Sequence, residues 1–246
     1  MRLDQMTWGE VATYLKRSGG IILPVGSTEQ HGPMGLIGTD TLCAEAIAMA
    51  AGEKANVIVA PPIAYTPAPF NMGFPGTISL SVETFKEVVF EVLSRLQEQG
   101  FGHIYILNGH GANLEPIKHV IPRLSGGRVR LKSWWDFPAV NKLRQQFYGD
   151  WEGMHATPSE ISITQALYRS VSPGAATKPP GKLSPEFIKA HAGDKHGTPA
   201  EHRASYPDGR VGSHSALAKP EHGKAIIDAA KSAACDDFLS FLNEFS

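Results

Sequence analysis

The sequence predicts an α/β protein, a three-layer α/β/α sandwich built on a mainly parallel central sheet. Three observations carry this. Apolar runs of strand length recur at 20–25, 56–60, 103–107 and 128–135. Segments of helical character lie between them, at 40–52, 82–99 and 115–124. Strand, helix, strand at these lengths calls for parallel strands whose connecting helices cover both faces of the sheet. Neither an internal repeat nor a linker divides the 246 residues, so 1–246 reads as a single domain.

In chain order, 7–17 reads as a short amphipathic helix and Ile21-Ile22-Leu23-Pro24-Val25 as the heart of a buried strand. Residues 40–52 are rich in alanine and lack glycine until Gly52, which predicts a helix ending there. Asn56-Val57-Ile58-Val59-Ala60 follows as a strand, stopped by Pro61 and Pro62. The clearest helix spans 82–99. There Phe85, Val88, Val89, Val92, Leu93 and Leu96 make one apolar face, with Ser81 as N-cap and Gly100 past the end. His103-Ile104-Tyr105-Ile106-Leu107 runs as a strand into Asn108-Gly109-His110-Gly111-Ala112-Asn113. A helix over 115–124 and a strand over 128–135 complete the alternation. From Ser172 to Pro220 proline, glycine and histidine dominate, and this reads as a long loop that has a function or is pinned by a neighbour. It carries His191, His196, His202, His214 and, just beyond, His222, without the regular short spacing of a metal-binding pair. An apolar-periodic helix over 221–243 closes the chain.

Composition narrows the function classes. Hydrophobic residues make up 42% and charged residues 19%, an ordinary soluble globular balance. The 23 basic and 24 acidic residues leave no basic footprint for nucleic acid. A modest surface charge suits a chain that hides surface in a homo-oligomer. Cys43 and Cys235 are too few for a disulfide framework or a thiolate zinc site, and both are expected buried and reduced. The start Met1-Arg2-Leu3-Asp4-Gln5 has no signal-peptide pattern and no later run approaches a membrane span, so the expected location is the cytoplasm.

Chemistry concentrates where strands end. The first strand empties into Ser27-Thr28-Glu29-Gln30-His31-Gly32-Pro33 and then Gly38-Thr39-Asp40. Glu29 and His31 are two apart, so in an extended segment both project to one side. Oxygen and nitrogen donors of this kind suit zinc, manganese or iron. A plainer reading has Glu29 and His31 bonding a surface turn and Asp40 capping the next helix. His110 shifts the balance, because it follows another strand and the carboxyl ends of parallel strands share one edge of the sheet. Met154-His155-Ala156-Thr157-Pro158-Ser159-Glu160 stays open between two readings. Thr157, Pro158 and Glu160 spell a helix capping box. Alternatively Glu160 is a metal ligand and His155 a proton shuttle.

Several ordered blocks resemble the creatininase family. They are Leu23-Pro24-Val25-Gly26-Ser27-Thr28-Glu29-Gln30-His31-Gly32-Pro33 with Gly38-Thr39-Asp40-Thr41, then Phe74-Pro75-Gly76-Thr77-Ile78-Ser79-Leu80, then Asn108-Gly109-His110-Gly111-Ala112-Asn113. His155 with Glu160, and Tyr206-Pro207-Asp208-Gly209-Arg210-Val211-Gly212, follow in the same order. The likeness extends over about residues 20–230. It implies an α/β/α sandwich, two adjacent divalent metal ions per chain (zinc, manganese or iron) and a hexamer. Glu29, Asp40 and His110 would hold one metal and His31 and Asp40 the other, with Asp40 bridging. At Ala112 the chain departs from creatininase, which has a ligating glutamate there; many relatives have glycine, and in them the counterpart of Glu160 is the remaining ligand.

The resemblance also implies the activity. Family members hydrolyse a C–N amide bond, and the expected reaction here is hydrolysis of a small cyclic amide or formamide. Two metals would polarise the carbonyl and a metal-bridging hydroxide would attack it, with His155 and Glu160 as catalytic residues and His155 passing a proton to the departing nitrogen. Trp134, Trp135 and Tyr65 are candidate pocket walls, or buried core. Two rival readings remain. One is a non-catalytic metal- or ligand-binding protein on the same scaffold. The other, a nucleotide-binding domain, is disfavoured because Gly26-Ser27-Thr28-Glu29 is no phosphate cradle.

Overall fold

A computed structural model describes residues 1–193 and 196–244. After α1 (Trp8–Leu15), strands β1 (Gly20–Val25), β2 (Ile58–Val59), β3 (His103–Asn108) and β4 (Arg128–Ser133) form one parallel sheet in the order β2-β1-β3-β4. β1 pairs with β3 from Gly20↔His103 to Val25↔Asn108, and β3 with β4 up to Asn108↔Ser133. The carboxyl ends of these three strands are therefore level.

Crossover helices set the layers. α2 (Thr39–Ala55) joins β1 to β2, α3 (Val82–Glu98) joins β2 to β3, and α4 (Leu114–Val120) joins β3 to β4. The first step runs one way along the sheet and the next two run the other way, so right-handed crossovers put α2 on one face and α3 with α4 on the opposite face. α3 packs on α4. On the α2 face, α9 (Pro220–Asn243) lies across α2, α5 (Pro138–Phe147) and α6 (Pro158–Leu167). The predicted three-layer sandwich is thus the observed one. Every β1 residue is buried, as are all β3 residues after His103, so these two central strands are wetted on neither face, while β4 at the edge is half-buried. Each Ile or Leu so buried contributes about 1.5–3 kcal/mol. The chain reverses direction along the sheet between β1 and β3, and a crevice opens there, outside Val25 and Asn108.

Differences from the expected elements have local causes. α2 does not stop at Gly52. It runs to Ala55 and ends on Asn56, whose φ of 53° supplies the left-handed stop, while the bare Cα of Gly52 accommodates the Val59 side chain. The second strand shrinks to Ile58–Val59, because Pro61 and Pro62 have no N–H to continue the ladder. α4 ends at Val120 and tightens into a 3₁₀ turn, Ile121–Arg123, around Pro122. The last strand stops at Ser133, which caps a 3₁₀ turn of Trp134–Asp136.

The expected long loop contains α7 (Pro185–Ala190) and α8 (Pro199–Ser205). Each begins with a hydroxyl cap followed by proline, Ser184 bonding the Phe187 N–H and Thr198 forming a capping box with Glu201. Two turns are too short to show periodicity, so the caps were the readable signal. α5 was not expected either; it opens on Pro138 and buries Val140 alone along its length, too little for an apolar stripe.

Candidate metal centre

Backbone contact between α2 and the strand ends builds the site. A Cβ on Gly109 would run into the Asp40 carbonyl oxygen and stand 3.1 Å from Ala44 Cβ. Only glycine lets the first turn of α2 rest on the loop after β3, and this places Asp40 over His110. Gly38, not Asp40, is the N-cap of α2, and no side chain caps it. The Asp40 carboxylate turns inward instead.

Glu29, His31, Asp40, His110, His155 and Glu160 all converge in the crevice and all are buried. Asp40 reaches both ways, with Oδ2 3.0 Å from His110 Nδ1 and Oδ1 2.9 Å from His31 Nε2. Glu29 Oε1 lies 3.1 Å from the same His110 nitrogen. Glu160 Oε1 lies 3.8 Å from His31 Nε2. Two triads with ligand atoms within 4.8 Å of one another result, Glu29-Asp40-His110 and His31-Asp40-Glu160, sharing Asp40; a third group joins Glu29 and His31 to His155.

Hydrogen bonding from behind fixes which nitrogen faces inward. Carbonyls accept only, so His110 Nε2–H must donate to Pro67 O at 2.8 Å and His31 Nδ1–H to Glu29 O at 3.1 Å. A neutral His110 then aims an unprotonated Nδ1 at two carboxylate oxygens, and among the described residues Glu29 Oε1 and Asp40 Oδ2 are buried without a donor. Buried acceptors facing one another demand a cation. Imidazoles oriented by backbone carbonyls are the arrangement that metal-ligating histidines use.

The electrostatics say the same. Burial opposes charge on His31, yet Asp40 and Glu160 hold its imidazole up to about 10. Against the same opposition Glu29 and Asp40 hold His110 well above its usual value. Burial likewise opposes ionisation of Asp40, but His31 and His110 keep it below the usual carboxylate range. Burial lifts Glu160 to about 7, with His31 pulling the other way. Protons here occupy positions that a divalent ion would fill with more charge. The donor set, three carboxylates and two imidazoles, fits such ions.

Glu160 satisfies both readings of its segment at once. It completes the capping box of α6, accepting from Thr157 N at 2.5 Å, and still belongs to the triad with His31 and Asp40. His155 departs from expectation in one respect: burial pushes its imidazole down to about 3, so it is neutral at physiological pH rather than poised near neutrality. Its Nε2–H donates to Gln30 O at 2.7 Å, which leaves Nδ1 as the open nitrogen, 3.7 Å from Glu29 Oε1. Ala156, next to it, takes a φ of 57°, and the segment is pinned by Met154 N to Val211 O at 2.9 Å and Val211 N to His155 O at 3.2 Å.

Sequence reasoning passed over Gln30 and Asn71. Asn71 Nδ2 donates to Glu29 Oε2 at 2.7 Å, and Gln30 Nε2 bonds Asn71 Oδ1 at 2.7 Å and Gly209 O at 2.9 Å. These amides lock Glu29 from behind, and neither bears a charge or lies at a spacing that marks it. A cavity of about 280 Å³ opens over Asp40, His110, His155 and Glu160, walled by Trp134 and Trp135. Tyr65 is not part of that wall; its side chain is 54% exposed. Among the described residues none of His191, His196, His202, His214 and His222 joins a metal-type group. His196 and His202 pack on Phe70, with ring centroids 4.6 and 5.0 Å away, and His222 stacks on Phe147.

Comparison with known proteins agrees along the chain. A 3-dehydro-scyllo-inosose hydrolase from Thermotoga maritima is 30% identical over 252 residues, covering 91% of this chain and 78% of that protein. A creatinine amidohydrolase from Pseudomonas putida is 28% identical over 209 residues, 74% of this chain and 80% of its own length. A solved structure titled as the manganese form of creatininase superposes with a TM-score of 0.78 at 24% identity, covering 98% of both chains. Among the described residues no helix is long and apolar enough to cross a membrane. The family model for creatininase, creatinine amidohydrolase, matches residues 4–237 and so takes in every residue of the site: the chain belongs to the creatininase family of hydrolases.

Proposed function

We propose that this protein is a metal-dependent amidohydrolase that cleaves the C–N bond of a small cyclic amide or formamide. The observation that carries the reading is the pair of ligand triads sharing Asp40. In it Glu29, Asp40 and His110 would hold one divalent ion and His31, Asp40 and Glu160 the other. Such a pair, when bound, supplies a Lewis acid for the carbonyl and an acidified water.

The chain's own groups do the rest. Pro67 and Glu29 carbonyls keep the imidazoles in the ligating tautomer, and Asn71 fixes the Glu29 carboxylate. Neutral His155 offers Nδ1 to take a proton and return it to the leaving nitrogen, while Gln30 O holds its other nitrogen. Glu160 takes the place of the carboxylate that Ala112 lacks. The cavity, at about 280 Å³, sits at the small end of ligand pockets and so favours a compact substrate. The donor set suits zinc, manganese or iron, and family likeness supports a cytoplasmic homohexamer.

Likeness to the inosose hydrolase over 91% of the chain favours one further candidate, a cyclic polyol ketone, whose carbonyl would accept water at the same place. Elemental analysis tests the site, and a panel of cyclic amides, formamides and inososes tests the substrate. Glu160→Gln is the informative variant, because glutamine still accepts from Thr157 N and keeps the cap. Two metals per chain falling to one in this variant supports the reading. An unchanged count removes Glu160 from the ligand set.

A further inference from the structure

We infer that Arg144 is an anchor for a carboxylate on the substrate, so that the amide this enzyme cleaves belongs to an acidic molecule. The inference rests on the amidohydrolase reading for where the amide sits, and adds what the rest of the molecule carries.

Arg144 reaches the cavity from α5 and, among the described residues, is the lone lysine or arginine in its lining. Its guanidinium is held on two sides. Nε donates to Glu152 Oε1 at 2.9 Å, and Nη1 donates to Asn141 Oδ1 at 2.9 Å. The guanidinium carbon lies 6.0 Å from the ring centre of Trp134, whose indole lines the same wall. Among the described residues Nη2 has no hydrogen bond, and Nη1 has one proton to spare. The outer edge of the fork, one N–H from each terminal nitrogen, is what a carboxylate meets in bidentate fashion. Glu152 lies outside the cavity lining and binds Ser159 as well as Arg144, so it occupies the opposite edge of the fork. This guanidinium edge selects an acceptor-only group, and aliphatic neighbours Leu114 and Ile188 leave room for a small carbon frame.

Matched pairs of cyclic amides with and without a carboxylate test this: 5-oxoproline against 2-pyrrolidinone, and dihydroorotate against dihydrouracil. With metal-loaded protein the acid of a pair is expected to show a KM at least about tenfold lower, the size of a charged bidentate hydrogen bond. Arg144→Gln should raise that KM alone, leaving kcat and the neutral partner within about twofold. Arg144→Lys keeps a charge for Glu152 but loses the fork, and should shrink the preference by at least about threefold. Equal KM values in the wild type, or a preference that survives both substitutions, would overturn the anchor. Calorimetric titration of the metal-free protein with the same acids separates the two ideas. Binding lost in Arg144→Gln supports the anchor even if no amide is turned over, and it excludes coordination of the acid to metal as the source of affinity.

Discussion

His110 Nδ1 stands 3.0 Å from Asp40 Oδ2 while the other nitrogen of His110 is committed to Pro67 O. A neutral imidazole cannot bond that oxygen, because both partners are acceptors. Asp40 repeats the arrangement on its other side with His31 Nε2, at 2.9 Å. One carboxylate therefore stands between two imidazoles whose outer protons are fixed by backbone carbonyls. Whatever positive charge satisfies one side is coupled through Asp40 to the other.

Asp40→Asn should therefore empty both positions together. Metal content by elemental analysis is expected to fall from about two per chain to near zero, with activity at background. In the metal-free state the variant also takes one of two counter-ions from each of His31 and His110, leaving Glu160 and Glu29, so thermal stability should fall as well. Full metal content in the variant contradicts the shared-ligand geometry.

Stability should depend on pH differently in the metal-free and metal-loaded states. In the metal-free protein His31 is raised from 6.5 to about 10, so its contribution is complete below 6.5 and disappears as pH rises through 10. Glu160, raised from 4.5 to about 7, behaves likewise between those values. Metal-free protein should thus lose thermal stability from pH 7 to 10, whereas below 6.5 His155, held down to about 3, acts the other way and costs stability as pH falls. Metal-loaded protein should gain between pH 5 and 8, because protons on Glu160 and the histidines compete with the ions. Calorimetry with and without chelator checks this: the stabilisation by metal must be larger at pH 8 than at pH 5.

His155→Ala should separate chemistry from metal binding. Its Nδ1 is 3.7 Å from Glu29 Oε1, yet neither shared triad includes it. Metal content should stay within error of two while kcat falls by about 10²–10⁴. Asn71→Ala should show the reverse emphasis. Loss of its 2.7 Å bond leaves Glu29 Oε2 buried and unpaired, so metal affinity should drop about 10–100-fold before turnover of the loaded enzyme changes. Equal effects of the two substitutions on metal content would refute the division of labour.

How much was legible depended on how local the signal was. β1, α3 and β3 were readable because burial on both faces or on one stripe writes itself into every residue, as in Ile21-Ile22-Leu23 or Phe85, Val89 and Leu93. Glu29, His31, Asp40 and His110 were readable because strand ends in a parallel sheet share an edge. α5, α7 and α8 were not, since one buried Val140 or two turns of helix leave no period. Gln30 and Asn71 were invisible for a different reason: their roles come from contacts to Gly209 and Glu29, residues 179 and 42 positions away. The resemblance fixed the family earlier than any of this geometry, but the double duty of Glu160 as cap and candidate ligand needed coordinates.

Gly109→Ala tests whether the approach of α2 to the strand ends is what assembles the site. The new methyl would overlap the Asp40 carbonyl and press on Ala44 Cβ at 3.1 Å, so the first turn of α2 must move away from β3. Overpacking of this kind costs about 1–3 kcal/mol. The displacement carries Asp40 off the line between His31 and His110, and both metal positions weaken together. Gly102→Ala is the matched control, because a Cβ there meets nothing within 4 Å and the residue lies at the opposite end of β3. Thermal denaturation should show the loss of stability in the first variant and at most about 0.5 kcal/mol in the second. Metal titration of the folded Gly109→Ala protein should show both sites weakened by a similar factor. Weakening confined to one site would mean that Asp40 is not the element that the helix positions for both.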